Sequence, residues 1–228
     1  MITMKQFENG YEYIEVQNDF ATAKIGLQGA HLFHFQGVDK EPLLWVSNTA
    51  VYREGKAIRG GIPVCWPWFG PHKVDSTLPQ HGFARISRWE VTRQEELEDG
   101  SSVVVLALHV PWEYAYSLTL QITVGETLDL SLTTENKDVK PFEITQALHS
   151  YYNVFDIEGI RLEGLDGCSY LNQLDGQTSL QHGTVTFNSE VDRVYDQPAP
   201  TLLIQDMMRE VSITSEGSGS VVVWNPWT

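Results

Sequence analysis

The chain has 228 residues, of which 42% are hydrophobic, so it can bury a substantial core, and we expect one domain over residues 1–228. Its 15 lysines and arginines are outnumbered by 30 aspartates and glutamates, which gives a formal net charge of -15 at pH 7. This charge disfavours nucleic acid and anionic membranes as partners, so an anionic ligand would have to be small and held by a local cluster of arginines.

The N-terminal segment from Met1 to Glu8 lacks the apolar core of a signal peptide, and no run of about 18 apolar residues occurs anywhere in the sequence. The two cysteines, Cys65 and Cys168, are far apart and show neither CxxC nor Cys/His zinc spacing. We therefore expect a cytoplasmic protein whose cysteines are reduced and buried.

Short runs of alternating apolar and polar residues dominate the chain and predict β-strands. Turn signals such as Glu98-Asp99-Gly100-Ser101 separate these runs at the spacing typical of an all-β sandwich or barrel, and helix is nearly absent. The predicted strands run from Tyr11 to Val16, Ala21 to Leu27, His31 to Phe35, Ile86 to Arg93, Val103 to Val110, Tyr116 to Val124, Leu128 to Thr134, Phe142 to Tyr151, Leu202 to Gln205, Val211 to Thr214 and Val221 to Trp224.

One hairpin can be assigned from the parity of its apolar residues. A two-residue loop would place Val124 opposite Thr127 and would mix the two faces of the sheet. A three-residue loop from Gly125 to Thr127 instead places Val124 opposite Leu128. We predict the three-residue loop, with a β-bulge at the turn.

Residues 47–85 interrupt the strand pattern with a long stretch rich in glycine, proline and aromatic residues. Two segments within it, IRGGIPVCWPWFG and LPQHGFAR, contain Arg59 and Arg85 beside glycines and prolines. A guanidinium held on such a loop can bind phosphate through paired hydrogen bonds, although each arginine could instead pair with one of the many acidic side chains. The two segments together predict a sugar or phosphosugar site.

Two histidines and a glutamine are candidates for ligand contacts. His81 lies beside Gln80, whose amide can hydrogen-bond a hydroxyl, but a loop histidine is often structural or solvated. His149 lies within the predicted strand from Phe142 to Tyr151, where it is either a hydrogen-bonded core histidine or a general acid or base.

The sequence shows no pattern of metal ligands. His31 and His34 are three residues apart on a probable strand, so their side chains would point to opposite faces. We expect no metal.

Among the seven tryptophans, most are expected in the core. Trp66, Trp68 and Phe69 are the exceptions, because they lie in the glycine- and proline-rich segment where flat rings could pack on a sugar.

The segments IRGGIPVCWPWFG, LPQHGFAR, ALHSYYNV, EVDRVYDQP and VVVWNPW occur in this order between Ile58 and Trp227. In this combination they resemble the hexose-6-phosphate mutarotases, also called glucose-6-phosphate 1-epimerases, a branch of the aldose 1-epimerase superfamily. The resemblance implies a β-supersandwich of the galactose mutarotase-like type with few or no long helices. It also implies a reaction without metal or cofactor that interconverts the α and β anomers of an aldohexose 6-phosphate.

The resemblance further implies roles for particular residues. His149 matches the catalytic histidine, and His81 is expected near the sugar ring oxygen. Three positions match those that hold the phosphorylated substrate, namely Arg59, Gln80 and Arg85. Asp192 matches a substrate-binding carboxylate. We expect a monomer that acts on a small-molecule hexose phosphate.

The family's catalytic base is a glutamate on a strand that follows the asparagine-proline block, here Asn225-Pro226, and no carboxylate of this sequence matches that position. The nearest acidic residues belong to earlier blocks: Asp196, Asp206, Glu210 and Glu216. Three explanations stay open, namely a domain that here lacks its C-terminal strands, a shortened homologue that binds sugar phosphates without converting them, or another group in the role of the base.

Overall fold

A computed structural model describes residues 1–227, which form β-strands and two single-turn 3-10 helices, Ala84–Ile86 and Ile157–Gly159. This confirms the all-β fold class. No helix among these residues is long and apolar enough to cross a membrane. The chain divides into two compact units, one comprising Met1–Asn153 and the other beginning at Val154.

The first unit contains two four-stranded antiparallel sheets and one two-stranded ladder. The first sheet has the order β1-β2-β3-β4, the second has the order β6-β7-β8-β9, and β5 pairs with β10. The strands are β1 Ile2–Gln6, β2 Glu12–Gln17, β3 Ala21–Gly26, β4 His31–Gly37, β5 Val64–Cys65, β6 Trp89–Glu96, β7 Ser102–Leu108, β8 Tyr116–Val124, β9 Leu128–Asn136 and β10 Ala147–Leu148.

One hydrophobic core lies between the two large sheets of this unit. Its members alternate along the strands, as period-two side-chain geometry requires. Ile14 and Ile25 come from the first sheet, Leu106 and Leu120 come from the second, and all four are fully buried. Burial of this kind stabilises a domain by about 25 cal/mol per Å² of apolar surface.

The hairpin of β8 and β9 has the predicted register. Val124 pairs with Leu128 and Ile122 pairs with Leu130, so the loop is the three residues Gly125 to Thr127. The Gly125 N–H donates to the Thr127 carbonyl over 3.0 Å and closes the loop. The pairing then runs without a register shift, and none of the three loop residues has the positive φ of a G1 bulge, so the predicted bulge was wrong.

The second unit contains two further antiparallel sheets, with the orders β14-β11-β16-β17 and β13-β12-β15-β18. Several of its strands are short and were not predicted, because their apolar residues do not alternate clearly. The strands are β11 Arg161–Glu163, β12 Ser169–Asn172, β13 Thr178–Leu180, β14 Val185–Thr186, β15 Val191–Asp196, β16 Thr201–Gln205, β17 Glu210–Thr214 and β18 Ser220–Asn225.

Candidate active site

The two arginine-bearing segments lie side by side in the first unit. Trp66 and Gly82 form a parallel bridge, and the Trp66 carbonyl accepts hydrogen bonds from Phe83 N–H at 3.0 Å and Ala84 N–H at 3.2 Å. Gly82 has φ +71°, and a Cβ there would lie 1.9 Å from the Trp66 carbonyl oxygen. Only glycine allows this close approach, so Gly82 is what lets the segments meet.

The backbone next to Gly82 fixes the orientation of His81. His81 has φ +61°, its N–H donates to the Gly70 carbonyl over 2.7 Å, and its Nδ1 accepts from Gly70 N–H over 3.1 Å. Because Nδ1 accepts, the proton of the neutral ring is on Nε2. The Phe69 ring packs edge-on against the imidazole with centroids 4.8 Å apart. His81 is therefore held as a donor through Nε2–H.

His149 is placed by the short ladder of β5 and β10. Its N–H donates to the Pro63 carbonyl over 3.0 Å, and its ring lies perpendicular to that of His81 with centroids 6.2 Å apart. The predicted strand from Phe142 to Tyr151 was wrong in extent, since β10 covers Ala147–Leu148 alone. Proline has no N–H to donate, and Pro63 and Pro67 flank β5, so the ladder stays at two residues.

Two aromatic residues that the sequence did not single out adjoin His149. Tyr151 stacks on the His149 ring at 4.6 Å with an angle of 18° between the planes, and Trp45 stacks on Tyr151 at 5.9 Å. Trp45 is 38% exposed. The spacing of two between His149 and Tyr151 in an extended segment could have predicted that both side chains point the same way.

Arg85 lies among the polar groups of the site, on the 3-10 helix Ala84–Ile86. Its Nη2 donates to the Gln80 carbonyl over 2.9 Å, whereas its Nε is buried and has no hydrogen-bond partner among residues 1–227. Burial is the main cause of the pKa shifts of His81, His149 and Tyr151; the positive charge of Arg85 adds to the lowering in the two histidines and opposes the raising in Tyr151. A guanidinium with a buried, unsatisfied Nε favours an anionic ligand.

Arg59 and Gln80 lie at the exposed side of the site. The charge of Arg59 also lowers the pKa of Tyr151, although burial outweighs both arginines and that pKa is raised. The segment that carries Arg59 also adjoins Tyr151, since Tyr151 N–H donates to the Gly61 carbonyl over 2.9 Å. Gln80 contacts Arg85 through its main chain, which leaves the role of its amide a prediction.

Both site histidines are neutral at pH 7. Burial is the main cause that lowers the pKa of His81 to about 4, and the charge of Arg85 and the neighbouring His149 imidazole contribute to the same shift. Burial also lowers the pKa of His149, partly offset by a hydrogen bond to its own backbone, with Arg85 lowering it further. An anion bound beside Arg85 would oppose the effect of that charge.

Asp192 belongs to the second unit, on β15 opposite Trp224 of β18. Burial and the neighbouring charge of Glu190 raise the pKa of its carboxyl. Five of the predicted site residues thus lie in the first unit, namely Arg59, Gln80, His81, Arg85 and His149, and Asp192 lies in the second. The substrate-binding role of Asp192 stays a prediction.

The aromatic predictions held only in part. Trp66 is fully buried, and its Nε1 donates to Thr134 Oγ1 over 3.1 Å, so it is a core residue and cannot pack on a sugar. Trp68 is half-buried and donates from Nε1 to the Pro79 carbonyl over 3.0 Å, which braces the loop. Phe69 is the ring of the three that contacts a site histidine.

Comparisons with known proteins connect this chain to sugar epimerases. The sequence profile described as aldose 1-epimerase matches residues 12–228. Proteins from Salmonella typhimurium and Escherichia coli, both named "Putative glucose-6-phosphate 1-epimerase", are 34% identical, and each match covers 94% of this chain and 74% of the relative.

Solved structures show the same relationship. A structure titled "putative mutarotase" from Salmonella typhimurium superposes with a TM-score of 0.92 at 33% identity, over 99% of this chain and 77% of that one. A "galactose mutarotase-like protein" from Clostridium acetobutylicum superposes with a TM-score of 0.78 at 12% identity, over 99% and 84% of the two chains. The fold is therefore the galactose mutarotase-like sandwich that the sequence predicted.

Proposed function

Because this chain belongs to the aldose 1-epimerase family, an isomerase family, we propose that it interconverts the α and β anomers of an aldohexose 6-phosphate. The relatives' names support a glucose 6-phosphate substrate. One observation supports the phosphorylated sugar: the guanidinium of Arg85 has a buried Nε with no hydrogen-bond partner among residues 1–227, and its Nη2 donates to the Gln80 carbonyl next to His81. Two cations next to a pair of neutral histidines suit a dianionic sugar.

The histidines would supply the proton donors for ring opening. Anomer exchange breaks the bond between C1 and the ring oxygen O5, which is easier when an acid protonates O5 as a base removes the C1 hydroxyl proton. Rotation about the C1–C2 bond then exposes the other face of the aldehyde. Reclosure of the ring on that face reverses both proton transfers. We assign His149 as the acid and His81 as a hydrogen-bond donor through Nε2–H near O5. A well-placed acid contributes about 10²- to 10⁴-fold.

The phosphate would prepare His149 for this role. A neutral imidazole with a lowered pKa holds few acidic protons at pH 7, but the phosphate charge beside Arg85 would raise the pKa of His149 when the substrate binds. The catalytic pKa would then approach the working pH, where general acids are most effective. The arginines contribute binding and orientation and take no part in the bond changes.

Two further substrate contacts and the catalytic base are treated separately from the histidines and arginines. We propose Asp192 as a substrate-binding carboxylate and Gln80 as a ligand to the sugar or its phosphate. No residue of this sequence is assigned as the base that removes the C1 hydroxyl proton, since none matches the family's glutamate.

The test follows α-glucose 6-phosphate by polarimetry as it approaches its anomeric equilibrium. We expect exchange faster than the spontaneous rate, a large loss of kcat in His149→Ala and a raised KM in Arg85→Met. Unphosphorylated glucose is the matched control, because its KM should not respond to Arg85→Met. Full activity in His149→Ala would remove that residue from the acid role.

A second candidate is a protein that binds hexose phosphates without converting them, for which the same two arginine-bearing segments would hold the phosphate. Calorimetric titration with glucose 6-phosphate separates the two. Binding that needs Arg59 and Arg85 without any acceleration of exchange would support the second candidate. Preference for a neutral glycan would contradict both.

We further propose that the protein acts as a monomer in the cytoplasm. The net charge of -15 supports a protein that binds neither nucleic acid nor anionic membranes. Sedimentation equilibrium tests the monomer, and fractionation of cells tests the location.

A further inference from the structure

His31 is a buried histidine to which the proposed chemistry gives no role. It is the first residue of β4 and is 1% exposed. Buried polar side chains are costly unless they are hydrogen-bonded, so a histidine here needs a specific partner.

The partner is the main chain next to Arg59. His31 Nε2 lies 2.8 Å from the Gly60 carbonyl oxygen. A carbonyl oxygen can only accept, so Nε2 carries the proton and donates it. Burial is the main cause that lowers the pKa of His31 to about 4, with the hydrogen bond to Gly60 opposing it and the Arg85 charge adding to it, so the ring is a neutral donor at pH 7.

The backbone at Gly60 and Gly61 is shaped around this ring. Their φ angles are +112° and +65°, a region that disfavours other residues. A Cβ at Gly61 would lie 2.7 Å from His31 Nε2 and 2.5 Å from the Leu32 carbonyl oxygen. The turn therefore lies directly on His31 and on β4.

Main-chain hydrogen bonds tie the turn on both sides of Gly60. Ser47 N–H donates to the Arg59 carbonyl over 2.9 Å, and Gly61 N–H donates to the Trp45 carbonyl over 2.7 Å. His31 adds a side-chain hydrogen bond from the buried side. The direction in which Arg59 leaves the backbone thus depends on a turn that His31 supports.

We propose that His31 is a positioning residue, which holds the Gly60 carbonyl and so fixes the Arg59-Gly60-Gly61 turn that presents Arg59 to the phosphate of a bound hexose phosphate. The inference rests on the proposed function for its ligand. Its structural half, the hold on the turn, can be measured without any ligand.

The experiment compares His31→Leu, which removes the donor, with His31→Gln, which places an amide N–H where Nε2 was. Hydrogen exchange followed by mass spectrometry on the peptide spanning residues 59–62 should be about tenfold faster in His31→Leu and close to wild type in His31→Gln. Unchanged exchange in His31→Leu would overturn the proposal. His31→Met replaces the leucine variant if that variant does not fold.

Calorimetric titration with glucose 6-phosphate then tests the link to Arg59. We expect the dissociation constant to rise roughly tenfold in His31→Leu, and no further rise when the change is added to Arg59→Met. Independent, additive effects would overturn the link, as would an unchanged affinity. Losses in His31→Gln equal to those in His31→Leu would refute the role of the donor.

The measurements distinguish a failure of the proposed function from a failure of the role of His31. If the wild-type protein binds no glucose 6-phosphate, the phosphosugar assignment and the role of Arg59 in it fall together, while the exchange measurement still decides whether His31 holds the turn.

Discussion

Acid should destabilise this protein through His31. The ring is fully buried and neutral in the folded state, with a pKa of about 4 in place of the ordinary 6.5. The unfolded chain accepts a proton as the pH falls through 6.5, whereas the folded chain accepts one only near 4. Stability is therefore fully present above pH 6.5 and is lost between pH 6.5 and pH 4.

The size of the loss follows from the two pKa values. Each pKa unit corresponds to about 1.4 kcal/mol, so His31 alone accounts for a loss of about 3 kcal/mol at low pH. More than half of this would already be lost at pH 4.5. A typical domain is stable by about 5–15 kcal/mol, so this loss is a large fraction of the total free energy of unfolding.

Urea unfolding at pH 7 and pH 4.5 measures the loss, with His31→Gln as the control. His81 also has a lowered pKa and adds to the acid sensitivity of both proteins, so the informative quantity is the difference between them. We expect the free energy of unfolding to fall by about 2 kcal/mol more in the wild type than in His31→Gln. Equal losses would show that His31 is not held neutral by burial.

Four further predictions concern the site. Arg85→Met should weaken glucose 6-phosphate binding at least about tenfold in calorimetry while leaving the affinity for glucose unchanged; equal losses for both ligands would contradict a phosphate contact. Gly82→Ala should lower the free energy of unfolding by at least about 2 kcal/mol in urea, because its Cβ would lie 1.9 Å from the Trp66 carbonyl oxygen; a variant as stable as wild type would show that the two segments can separate without cost. Tyr151→Leu should lower kcat more than it raises KM in polarimetry, because it removes the ring stacked on His149; a change in KM alone would indicate a role in binding. The NMR titration of the His149 ring should show a higher pKa with glucose 6-phosphate than without it, and an unchanged pKa would contradict the proposed effect of the phosphate.

Strands with one clearly buried face were predictable from the sequence. β8 begins and ends at the predicted residues, because Leu118, Leu120, Ile122 and Val124 all enter the core. β13 was missed because all three of its residues are exposed, so no burial pattern marks it. Alternation reports burial on one face, and a strand without that contrast leaves no such signal.

The site was predictable as a set of residue types but not as an arrangement. The order of the motifs led to Arg85 and His149, yet nothing in the sequence shows that Trp45, about a hundred residues away, stacks on the Tyr151 ring beside His149. Trp66 was misassigned because a motif with Gly and Pro resembles an exposed loop, whereas its indole is fully buried. Such differences depend on contacts between distant segments, which local patterns do not encode.

The paired hydrogen bonds between Gly70 and His81 affect how much the loop between these two residues can vary in length. They join the two ends of the mostly exposed loop formed by residues 71–80, so the spacing of these ends does not depend on the residues between them. Doubling such a loop costs only about 0.6 kcal/mol in closure entropy. Insertions near its tip, around Val74, should therefore be tolerated, and this is where homologues or engineered variants can differ in size without moving His81.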